Sequence, residues 1–172
     1  LGFGGSGPLL ICPQSLFKVH PDNDVVLART LAASPGARLV VFEGRHPRLT
    51  AKFRARFGIA LANAGLDFDR QVIVLPAVAH PRYLQVNAAC DAMLDSVRWS
   101  GGNTSLDAIA CGLPVLTRPG AFMRGRQSAG MLALMGIDEL VARDADDYVR
   151  IVASLAGDAH RLLDLLHAGH AL

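Results

Sequence analysis

Apolar residues recur along the chain in short dense runs separated by amphipathic stretches. "PLLIC" (8–12), "ARLVVFE" (37–43), "QVIVLP" (71–76), "AMLD" (92–95), "PVLT" (114–117) and "ELVA" (139–142) have the length and density of buried strands. The stretches between them carry helical spacing: 22–34, 48–65, 82–90, the segment after 103, 126–136 and 144–158, with a last helix from about His160. Gly65 closes the second helix, and acidic residues at 144–147 suit the N-terminus of the 144–158 helix. Leu106, Ile109 and Ala110 predict the buried face of the helix after 103, which Gly112 and Pro114 stop. This alternation predicts an α/β, Rossmann-like domain: a parallel sheet of about six strands with helices on both faces. Ligands of such sheets sit beyond the carboxyl ends of the strands, so the loops to watch are 13–20, 43–47, 76–82, 96–104 and 117–125.

Composition narrows the picture. The chain has 172 residues, is 51% apolar and carries a net charge of +2, too small to argue for nucleic acid or an anionic membrane. The arginines and lysines between Arg38 and Arg56 read as a solvated helix face. Cys12, Cys90 and Cys111 lie far apart without paired spacing, as reduced cysteines of a cytoplasmic protein do. No apolar run approaches the roughly 20 residues of a membrane span. The opening "GFGGSG" matches GxGxxG at Gly2, Gly4 and Gly7, but it precedes a strand instead of following one. Residues 1–7 therefore read as a flexible linker and 8–172 as the domain. The first residue is Leu1 and not Met, which reads as a fragment. His80 has no partner at ligand spacing, and His167 and His170 stand near the end of the chain, so no metal is expected.

The densest chemistry is "WSGGNTSLDAIACGLPV" (99–115). Gly101 and Gly102 let backbone approach a ligand, and Asn103, Thr104 and Ser105 can cap the following helix. Its amides and dipole favour an anion, while Asp107, one turn inside, is suited to accept from sugar hydroxyls. The loop "CPQSLFKVHP" adds Gln14 and Lys18, the latter a natural counter-charge for a pyrophosphate. "PAVAHPRYL" offers the backbone of Ala79, the His80 imidazole, Arg82 and Tyr83 to frame a planar base. In "RPGAFMRGRQS", Arg124 or Arg126 can reach the mouth of such a site.

Together these motifs resemble the carboxy-terminal half of a GT-B glycosyltransferase, and more narrowly the protein O-linked N-acetylglucosamine transferases and their SPINDLY-type bacterial relatives. The resemblance runs from Gln14 to Asp158 through "QSLFKVHP", "PAVAHPRYL", "CDAMLD", "GGNTSLDAIACGLPVLTRPG", the R-x-S at 126–128 and "MGIDELVARDADDYV". It implies a UDP-sugar donor, no metal and no other cofactor. Lys18 would be catalytic, holding the diphosphate as UDP departs. Asn103 and Thr104, with Gly101 and Gly102 before them, would present the helix N-terminus to that diphosphate. Asp107 would take the ribose hydroxyls, Ala79 with His80 and Arg82 the uracil, and Gln14 the phosphate or sugar. A protein or peptide acceptor, an N-terminal GT-B domain and possible upstream helical repeats are the implied partners. The fragment alone is expected to bind donor without transferring sugar. A sugar-nucleotide epimerase and a non-catalytic nucleotide-sugar-binding module are the alternative readings.

Overall fold

The computed structural model describes residues 7–156. Most of the expected linker, the helix from about His160, and His167 and His170 lie outside that range. Five parallel strands form one sheet in the order β3-β2-β1-β4-β5: β1 (Leu9–Ile11), β2 (Arg38–Phe42), β3 (Val72–Leu75), β4 (Ala92–Leu94) and β5 (Val115–Leu116). The sixth expected strand is reduced to a bridge between Thr117 and Val141. Its backbone still pairs, since Thr117 N–H donates to Leu140 and Ala142 N–H donates to Thr117.

Alternation along the strands splits the core. Leu10, Leu39, Val41, Leu94 and Leu116 face one side, where α1 (Asp22–Ala33), α2 (Pro47–Asn63), α6 (Gln127–Leu134) and α7 (Ala145–Ala156) contribute Leu27, Phe57, Leu132 and Val152. Leu9, Ile11, Val40, Met93 and Val115 face the other, against Val86 of α4 (His80–Ala88) and Ala108 of α5 (Asn103–Ala110). Both faces are apolar, as a sheet covered by crossover helices requires. A short α3 (Phe68–Gln71), unmarked by periodicity, leads into β3; Asp67 caps it by accepting from the Arg70 amide at 3.0 Å.

Helix ends are written in glycine. Gly65 and Gly112 take φ of 73° and 69°. Leu66 and Leu113 then return their amides to Leu61 and Ala108. This left-handed cap satisfies the last carbonyls and turns the chain into the next element.

Two expectations change. The buried face of α5 is Ser105 and Ala108, while Leu106 is 53% exposed. Ser105 is drawn inward because its hydroxyl meets that of Ser128 at 2.7 Å, so the helix is rotated away from its apolar reading. Arg56 also leaves the solvated face of α2 and pairs with the buried Asp24. No helix among the described residues is long and apolar enough to cross a membrane.

Candidate functional site

The sheet changes direction between β1 and β4: β2 and β3 lie on one side, β5 on the other. Loops leaving the carboxyl ends of two such strands diverge and open a crevice, where open α/β sheets bind ligands. The loop after β1 carries Gln14 and Lys18; the loop after β4 leads into α5.

The second loop is organised around a buried carboxylate. Asp95, at the end of β4, accepts from the amides of Ser96 and Gly101 at 2.9 and 2.8 Å. Its other oxygen accepts from the hydroxyls of Ser100 and Thr117 at 2.6 and 2.8 Å. The Ser128 amide donates to Ser100 Oγ at 2.9 Å, tying the start of α6 to the same knot. Tyr148 of α7 donates to the Asp95 carbonyl at 3.0 Å. Burial raises the Asp95 pKa above the usual carboxylate range, and the hydrogen bonds oppose that rise. Burial also pushes the Tyr148 phenol well up.

Against this knot the first loop packs closely. Gln14 is 2% exposed, and its Nε2 donates to Thr104 Oγ1 at 2.9 Å. A Cβ on Gly101 would fall 2.2 Å from Ser105 Oγ and 2.7 Å from Gln14 Nε2, so only glycine fits. Gly102, not Asn103 or Ser105, is the N-cap of α5, and no side chain caps the helix. Thr104 and Ser105 instead spend their hydroxyls on Gln14 and Ser128. The leading amides at Asn103 and Thr104 therefore have no intrahelical acceptor and present the positive end of the helix to the crevice. Asn103 itself is exposed.

Beside Gln14 opens a cavity of about 290 Å³, lined by Gln14, Phe42, Val78, His80 and Tyr83 among others. His80 Nε2 lies 3.2 Å from Asp107 Oδ2, and its ring stacks on Tyr83 at a centroid distance of 6.0 Å. Burial pushes the Tyr83 phenol up to about 12. Ala79 is the exposed N-cap of α4, between Val78 and His80 of that lining. Arg82 is not brought to this cavity: it points along α4 and donates to Gln85 at 2.8 Å.

Lys18 is half-buried, with its ammonium 5.2 Å from the centre of the Trp99 ring. The Arg124 guanidinium approaches the same ring at 5.9 Å, whereas Arg126 donates to the Gly120 carbonyl. Sequence reasoning missed Trp99 as a contact of Lys18 and missed Asp95 entirely. A polar residue ending an apolar strand was the one available signal for Asp95. No cluster of metal-ligating side chains exists among the described residues.

The family model described as Glycosyl transferase family 41 matches residues 10–168. The probable UDP-N-acetylglucosamine–peptide N-acetylglucosaminyltransferase SPINDLY of Arabidopsis thaliana is 30% identical over 153 residues, covering 88% of this chain and 16% of that protein. A mutant O-GlcNAc transferase from Thermobaculum terrenum superimposes with a TM-score of 0.84 at 29% identity, over 95% of this chain and 31% of that one. The C-terminal CMP-Kdo binding domain of WaaA from Acinetobacter baumannii shares the fold at 14% identity, with a TM-score of 0.63 over 95% of this chain and 88% of its own.

Proposed function

This chain belongs to glycosyl transferase family 41, and from that premise we propose that it forms the donor-binding part of a protein O-linked N-acetylglucosamine transferase. The reaction is a metal-independent, inverting transfer from UDP-N-acetylglucosamine to a serine or threonine hydroxyl. The observation that carries the reading is the Gln14–Thr104 hydrogen bond, which ties the loop after β1 to the first turn of α5 beside its open amides. Such a cradle suits a diphosphate. The Arabidopsis thaliana and Thermobaculum terrenum proteins, both named as transferases of this sugar, support it.

On this reading the cavity beside Tyr83 takes the base, with His80 in its lining and the Ala79 backbone next to it in the chain. Asp107 accepts from the ribose hydroxyls, and the diphosphate lies between the α5 amides and Lys18. The acceptor oxygen bonds to the anomeric carbon as the bond from that carbon to the diphosphate oxygen breaks. The electron pair leaves with UDP, where Lys18 and the helix N-terminus stabilise the developing charge. The acceptor proton passes to a base on the acceptor side. A second Rossmann-like domain facing this one completes a GT-B site.

Calorimetric titration with UDP, UDP-N-acetylglucosamine, GDP and ADP tests this. Uridine nucleotides are expected to bind, and Lys18→Ala to weaken UDP by about 1–3 kcal/mol, the scale of a charge-assisted hydrogen bond. Equal affinity for all three nucleotide bases, or no effect of Lys18→Ala, overturns the assignment.

A further inference from the structure

The loops after β4 and β5 enclose a second cavity, of about 400 Å³, whose lining includes Arg98, Arg118, Arg124 and Arg143 together with Phe122 and Asp144. Two of these arginines are neutralised. Arg98 donates to Asp22 at 2.7 Å, and Arg143 to Asp147 at 3.0 Å. Asp147 also accepts from Arg150, and Asp144 accepts the Asp147 amide at 2.8 Å while keeping its own negative charge in the lining. Arg118 and Arg124 have no carboxylate partner among the described residues. Arg124 instead lies against the rings of Phe122 and Trp99, at 4.8 and 5.9 Å.

The cavity wall is held in shape by its own backbone. Gly120 N–H donates to the Gly125 carbonyl at 2.7 Å, and Arg126 holds the Gly120 carbonyl at 3.0 Å. A Cβ on Gly125 would stand 3.3 Å from the Arg98 carbonyl, so the 119–125 loop lies directly on the 97–98 segment. Two guanidiniums without an ion-pair partner among the described residues, against the single Asp144 carboxylate, leave this concave volume net positive and suited to an oxyanion, which their planar forks can bind in bidentate fashion.

Two features say which oxyanion. Phe122 of the lining is 64% exposed and its chain neighbour Met123 is 79% exposed, apolar surface beside the cavity that suits a polypeptide better than a free ion. Trp99 also touches both Lys18 and Arg124, so the cavity adjoins the cation assigned above to the diphosphate. We propose that this arginine-lined cavity holds a carboxylate or phosphate side chain of the acceptor polypeptide, so that serines and threonines near acidic residues are favoured. The proposal rests on the transferase reading for the identity of its ligand.

Titrating the 172-residue chain with a serine peptide bearing glutamates, its glutamine counterpart, a phosphoserine version and inorganic phosphate tests the proposal. UDP is titrated in parallel. The glutamate or phosphoserine peptide is expected to bind about tenfold tighter than the glutamine peptide, the scale of one charge-assisted contact. Arg118→Gln should lose most of that preference with UDP affinity unchanged. Arg118→Lys, which keeps the charge but not the fork, should retain part of it. Lys18→Ala should weaken UDP and leave the peptide preference intact. No preference for the acidic peptides overturns the proposal, as does a preference that survives Arg118→Gln combined with Arg124→Gln. Inorganic phosphate competing as tightly as the peptides also overturns it. A preference lost in that double variant, in a chain that binds no UDP, overturns the donor reading and supports the arginine cavity by itself.

Discussion

Gln14 donates from Nε2 to the Thr104 hydroxyl, joining the loop after β1 to the first turn of α5. The two residues are 90 positions apart in the chain, so the bond exists only because β1 and β4 are neighbours in the sheet. It holds the two walls of the crevice in register. Gln14→Ala and Thr104→Val are each expected to weaken UDP binding, and the double variant to lose little more than either alone. A coupling of about 1 kcal/mol in the double-mutant cycle is the expected result. Strictly additive losses would show that the bond does not shape the site.

On the proposed reading, the Asp107 carboxylate repels phosphate and accepts from the ribose diol. Its carboxylate, 3.2 Å from His80, lies one turn into α5 beyond the open amides. Asp107→Ala is expected to cost about 1–2 kcal/mol of UDP affinity, the worth of hydrogen bonds to a charged acceptor. Inorganic pyrophosphate should bind no worse to that variant. Calorimetry showing equal losses for both ligands would mean that Asp107 supports the fold and not the ribose.

Asp95 makes stability depend on pH. Its folded pKa is raised by burial, so the native state holds its proton more tightly than the unfolded chain does. That contribution is complete below the ordinary carboxylate value of about 3.9 and is lost as pH climbs through the raised folded value. Asp95→Asn keeps an acceptor for the Ser96 and Gly101 amides and removes the titration. Urea unfolding from pH 4 upward should show the parent losing stability relative to Asp95→Asn. Parallel curves would refute the assignment. Asp95→Ala, which strands two amides and two hydroxyls, should lower stability by about 3 kcal/mol or more.

Glycines here differ in kind. Gly101→Ala drives a methyl into Ser105, Thr104 and Gln14 and should cost about 1–3 kcal/mol by overpacking. Gly130, inside α6, has open space where its Cβ would be. Gly130→Ala should stabilise by about 0.5–1 kcal/mol through helix propensity and a less flexible unfolded chain. Opposite shifts of melting temperature are the check; a destabilised Gly130→Ala would contradict the described packing.

The alternation of strands and helices was legible because parallel strands buried on both faces must be continuously apolar, as "RLVVF" and "VIVL" are. The loops that frame the candidate site were legible for the same reason, since they follow those strands. The internal architecture of the loops was not. Asp95 meets Ser100, Thr117 and Ser128 through the fold, and no periodicity links these positions. The rotation of α5 escaped because a buried serine won over an exposed Leu106 through its hydroxyl partner Ser128. Arg82 and His80 read alike in sequence, yet only the latter lines the cavity, a difference set by their positions around α4.

Trp99 is the only tryptophan in the chain, and it rests between Lys18 and Arg124. The protein therefore carries a built-in optical probe. Excited at the red edge of protein absorption, every emitted photon originates from the ring that lies against Lys18 and Arg124, with no background from other indoles. A ligand that draws Lys18 off the ring and one that draws Arg124 off it perturb the same chromophore from two directions. Binding at either cation can be followed in real time, without a label and without turnover.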